Sequence, residues 1–120
     1  MPKATRQGII QDSNITLPQQ GGSNDIEFPL FALPGLAGHG TLFFRLRGFG
    51  RTTFQFFLNN SGTQAFQVDT SPSRSYHEVF PLSTLKAENN QLVMAITPVS
   101  GEPLGSVTLS DVVIFYEATI

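Results

Sequence analysis

Between residues 40 and 116 the chain is a succession of short apolar runs, each closed by a cluster of turn-forming residues. Strands are expected wherever apolar positions recur with period two, because successive side chains on a strand point to opposite faces. Residues 41–47 place Leu42, Phe44 and Leu46 on one side and Phe43, Arg45 and Arg47 on the other. Residues 53–58 repeat the pattern with Phe54, Phe56 and Leu58, and Asn59-Asn60-Ser61-Gly62 then offers residues that tolerate positive φ in a tight hairpin. Further strands are predicted over 14–17, 26–30, 65–68, 76–80, 91–97 and 107–117. Pro29 has no N–H to give to a ladder, which assigns the 26–30 strand to an edge or a bulge. Residues 33–40 read as a flexible connection, and residues 81–90 as a connection anchored by Leu82 and Leu85.

No window sustains apolar spacing at i, i+3, i+4 and i+7, so helices are not expected. Seven to nine short strands at this spacing predict an all-β fold, a single-domain antiparallel β-sandwich or jelly roll of about eight strands. A length of 120 residues suits one domain, no linker divides it, and residues 1–13 read as an N-terminal arm or edge segment. The shared register of four strands predicts a core of Phe44, Leu46, Phe54, Phe56, Leu92, Met94, Ile96, Val112 and Ile114.

Composition narrows the function classes. Charged residues are only 13% of the chain, about half the usual quarter, and the net charge is -2. Such a surface sets up no field to draw a polyanion, and no nucleic-acid partner is expected. With no cysteine, disulfides and thiolate chemistry are excluded. The first eight residues lack the apolar segment of a signal peptide and no run is long enough to span a bilayer, so the chain reads as soluble, without membrane insertion. Its compartment stays open between an extracellular and a particle-associated setting.

The order of segments resembles the galactose-binding-like jelly rolls that include many carbohydrate-binding modules. The resemblance rests on the strand at residues 41–47, the following strand ending in Leu58-Asn59-Asn60, Tyr76-His77-Glu78-Val79-Phe80, the segment from Leu85 to Met94, and a last strand from Ser110 to Tyr116. It implies a sandwich with lectin-like binding of carbohydrate. The chain departs from such modules in having no Trp and only two Tyr, Tyr76 and Tyr116, to serve as flat platforms for a sugar ring.

Catalytic signals are sparse. His39 and His77 are the only imidazoles, no G-x-S-x-G elbow occurs, and Glu78 with Asp111 is the one carboxylate pair that a glycosidase reading can offer. The protein is accordingly expected not to be an enzyme. No metal or cofactor is expected either, since the nine acidic residues are dispersed; a structural calcium near Asp25, Asp69 and Asp111 competes with simple turn chemistry at those positions. Gly48-Phe49-Gly50-Arg51-Thr52 reads as a hairpin turn, because it lacks the Lys and the helix of a phosphate loop. Arg45, Arg47 and Arg51 on or beside that hairpin suit a solvated strand face.

Two expectations about binding remain. A glycan, if bound, is expected to meet Asn59, Asn60, Arg74, Tyr76 and His77, whose amides, charge and ring edges suit sugar hydroxyls. Several strands are also apolar on the side away from the core, which a monomeric antiparallel sandwich normally keeps polar. This predicts a homo-oligomer with an interface at Phe43, Phe57, Val113 and Phe115. The two roles compete: a self-associating carbohydrate-binding module, or a structural subunit of a larger particle or fibre, phage-like or extracellular, with no small ligand.

Overall fold

The computed structural model describes residues 3–62 and 65–119. They form two antiparallel sheets packed face to face. The first sheet has the order β1 (Lys3–Gln11), β10 (Ser106–Thr119), β4 (Leu36–Phe49) and β8 (Arg74–Phe80), and β2 (Ile15–Leu17) continues the β1 edge along β10. The second sheet has the order β3 (Asp25–Glu27), β9 (Leu92–Thr97), β5 (Thr52–Leu58) and β6 (Ser61–Gly62), and β7 (Phe66–Val68) shares the β5 edge with β6. Counting β1 with β2 and β6 with β7 as single positions leaves eight. Chain-order positions one, eight, three and six then make one sheet and two, seven, four and five the other, which is the connectivity of an eight-stranded jelly roll.

Alternation explains the packing. Every second residue of β5 is buried, from Thr52 to Leu58, and β9 buries Leu92, Met94 and Ile96. All nine residues expected in the core are buried, and they are joined by Leu17, Phe28, Leu33, Val107, Leu109, Tyr116 and Ala118 from the longer strands and loops. Phe44 meets Phe56 edge to face at 5.3 Å and Phe54 at 5.7 Å, so the two sheets interlock through aromatic rings. Asp111, with φ 53°, marks a bulge in β10: the register with β4 shifts between Ser110 and Val113. The extra residue lets Leu109 and Val112 both point inward although three positions separate them.

Two local expectations differ from the structure. Residues 36–40, read as flexible connection, are the first part of β4; Gly38 and Gly40 on its inward side made the segment look loop-like. Leu82 is 47% exposed, and the 81–90 segment is anchored instead by Leu85 and by Asn90. Asn90 is fully buried with its amide saturated: Nδ2 donates to the carbonyls of Phe31 (3.1 Å) and Lys86 (2.7 Å), while Oδ1 accepts from the Lys86 N–H (2.9 Å) and from Asn59 Nδ2 (2.9 Å). A polar side chain is stable there because no donor or acceptor is left unpaired. The N-terminal segment, read as an arm or edge segment, contains a nine-residue edge strand paired with β10 from Lys3↔Thr119 to Ile9↔Val113.

Candidate functional site

The outer face of the first sheet carries the most distinctive surface. On β10 the bulge sets Val113 and Phe115 outward, and their cross-strand neighbours on β4 are Phe43 and Thr41. On the other side of β10, Ile9 lies opposite Val113 and Gln7 opposite Phe115. On the far edge His77 faces Phe43 and Val79 faces Thr41. The period-two rule therefore gathers Ile9, Phe43, Val79, Val113 and Phe115 onto one surface. Ile9 is 63% exposed, Val79 55% and Phe115 38%.

Polar groups frame this apolar centre. Toward one end, Arg45 lies opposite Ser110 and Ser75, and Asp12 and Asp111 border the same shallow depression. The depression encloses about 540 Å³. Toward the other end, His39 Nδ1 pairs with Glu117 Oε1 at 2.9 Å. The face thus has an apolar middle and a charged, hydrogen-bonding margin.

The expected interface residues divide between two faces. Phe43, Val113 and Phe115 are together on the first sheet, whereas Phe57 points outward from the second, opposite Gly62 and Val93. Its ring lies over Gly62, where an added Cβ would stand 2.9 Å from the ring. Ile9 carries no sequence signal, because the alternation of β1 runs through Lys3, Thr5 and Gln7, with one aliphatic residue at its end. Only the pairing with β10 reveals its setting.

The expected glycan residues are also dispersed. Asn59 is structural: its Nδ2 donates to the Thr84 carbonyl (2.8 Å) and its Oδ1 accepts from the Gln91 N–H (2.8 Å). Asn60 is exposed in the same hairpin, both asparagines having positive φ. Arg74 and Tyr76 lie toward the other end of the sandwich, on the inward-facing side of β8, and His77 belongs to the outer face. Glu78 shares the inward side with Tyr76, while Asp111 borders the outer depression, so this carboxylate pair is split by the sheet. Asp25 accepts a hydrogen bond from Ser23 Oγ (2.9 Å) and Asp69 one from Arg51 Nε (3.1 Å), which is turn and surface chemistry. Among the described residues no group of three or more His, Asp or Glu is placed to hold a metal ion, and no helix is long and apolar enough to cross a membrane.

Comparison with protein-family models and with curated proteins gives no match to the chain. The class is set by the fold itself: an all-β, two-sheet antiparallel sandwich of jelly-roll type.

Proposed function

We propose that the protein is a non-catalytic assembly subunit whose copies associate through the outer face of the β1-β10-β4-β8 sheet. The observation that carries this reading is the apolar row Ile9, Val113 and Phe43 across three strands, with Phe115 and Val79 in the adjoining row beside Gln7 and Thr41. A second copy is the occupant best matched to it. Arg45 and the carboxylates Asp12 and Asp111 border the same depression, so two copies related by a two-fold axis present each other with opposite charges. The size is adequate as well: four strand positions about 4.8 Å apart along a central strand rising about 3.3 Å per residue give a face approaching the roughly 800 Å² per partner of a standard interface. A low net charge opposes self-association only weakly.

Light scattering coupled to size exclusion tests this directly. The expected result is a closed oligomer that becomes a folded monomer in Phe115→Glu, where the new carboxylate must be desolvated without a partner. A wild-type chain that remains monomeric at high concentration, or a Phe115→Glu variant that keeps the oligomeric mass, refutes the reading.

A further inference from the structure

A second pocket lies where β7 leads into β8. It holds about 250 Å³ and is lined chiefly by Gln67, Asp69, Thr70, Ser71, Arg74 and Tyr76. The loop that forms it is fastened to the β4–β5 turn. The Ser71 N–H donates to the Gly48 carbonyl (3.2 Å), the Gly50 N–H donates to Thr70 Oγ1 (2.7 Å), and Arg51 Nε donates to Asp69 Oδ1 (3.1 Å). Gly48 is required beneath it, because a Cβ there would stand 2.3 Å from the Asp69 carbonyl oxygen. A ligand at this site therefore meets groups that are already ordered, which lowers the entropic cost of binding.

The chemistry of the lining is donor-rich. Arg51 pairs with Asp69 and also with Glu102 at 3.2 Å, offsetting part of the carboxylate charge beside the pocket. Arg74 has no hydrogen-bond or ion-pair partner among the described residues, and the Tyr76 hydroxyl has none either. The Tyr76 ring itself stacks on Phe44 (5.7 Å) and Phe66 (5.3 Å), so it belongs to the aromatic cluster and offers the pocket its hydroxyl. A guanidinium, an amide and three hydroxyls converge in a space too small for an extended ligand. Without an open aromatic face, affinity must come from charge-assisted hydrogen bonds, and a planar guanidinium is suited to grip an oxyanion.

We propose that this pocket binds a single sugar residue carrying an anionic substituent, a carboxylate or a sulfate ester, with Arg74 on the anion and Gln67, Thr70, Ser71 and Tyr76 on the ring hydroxyls. The site is at a loop end of the sandwich and is independent of association through the sheet face.

Calorimetric titration of the full chain with D-glucuronate, glucose 6-sulfate, glucose and inorganic sulfate tests it. Saturable binding of glucuronate or of the sulfate ester is expected, the tighter of the two identifying the anion, with glucose weaker by about tenfold or more. Arg74→Gln should weaken that binding by about tenfold or more, and Arg74→Lys, which keeps the charge but loses the fork, by less. Asn60→Ala, in the hairpin at the far end of β5, should leave it unchanged. The proposal is overturned if neither anionic sugar saturates, if glucose binds equally well, if inorganic sulfate binds as tightly as the sugars, or if Arg74→Gln, shown folded by its NMR spectrum, retains full affinity.

Discussion

The two outer faces of the sandwich begin from the same unusual pattern and end differently. On the first sheet Ile9, Val113 and Phe43 adjoin one another across three strands, and Phe115 and Val79 stand in the next row with Gln7 and Thr41. On the second, Phe57, Val93 and Ala95 have polar company: Val93 and Ala95 pair with Glu27 and Asp25, and Gln91 Nε2 donates to Glu27 Oε1 at 2.5 Å across the sheet surface. Phe57 also has Gly62 as its cross-strand neighbour, so its ring can lie down on the backbone of its own hairpin. An apolar residue on an outward position is thus ambiguous by itself. What decides is whether its lateral neighbours are apolar, for only a contiguous patch costs enough in water to call for a partner.

The comparison can be broken first at its foundation, the core both faces share. Phe44→Ala removes the ring that meets Phe54, Phe56 and Tyr76, and should cost about 3–5 kcal/mol in chemical denaturation. A cost near zero would mean that the two sheets are not clasped by these rings, and the assignment of inner and outer faces fails with it. Next in size is the contrast itself. Phe115→Glu should weaken association by at least about 10-fold, the worth of one buried large side chain, as read from the concentration dependence of sedimentation. Asn90→Ala separates loop support from face chemistry: stranding the Phe31 and Lys86 groups and Asn59 should lower stability by about 1–3 kcal/mol, with the oligomeric mass unchanged. The smallest effect is expected on the second sheet. Phe57→Glu should lower stability by about 1 kcal/mol and leave the mass unaltered; its dissociation into monomers would show that both faces serve as contacts.

Much of this architecture was legible in the residue pattern, and the lapses have physical causes. Strands β5, β9 and β10, and β4 from Leu42 onward, announce themselves because one side of each is mostly Leu, Phe, Met, Ile or Val. The hairpin after Leu58 was legible too, since two successive asparagines at φ 51° and 65° follow a strand. Gly38 and Gly40 hid the start of β4, because glycine inside a strand looks like a turn until the neighbouring chain that needs the space is known. The outward position of Phe43, Val113 and Phe115 is legible from alternation, but alternation cannot tell which sheet a strand joins, and Phe57 proves to lie on the other sheet. The residues expected to meet a glycan come largely from predicted loops, and a sequence does not say which loops share an end. Arg74 and Tyr76 do line one pocket, while Asn59 is occupied by the backbone around Thr84 and Gln91.

The pairing of Lys3 with Thr119 has a consequence for presentation. These residues leave the sandwich side by side from one pole, and β10 runs from there along the length of a body 53 Å in its longest extent. The β4–β5 turn and the Arg74 pocket occupy the opposite pole. A carrier joined at either end of the chain would hold the domain by its base, like a bulb in a socket, with the pocket turned outward and the long axis acting as a spacer. Fusing a reporter to Lys3 or to Thr119 should therefore leave that pocket open, whereas inserting the same reporter at Gly50 would close it.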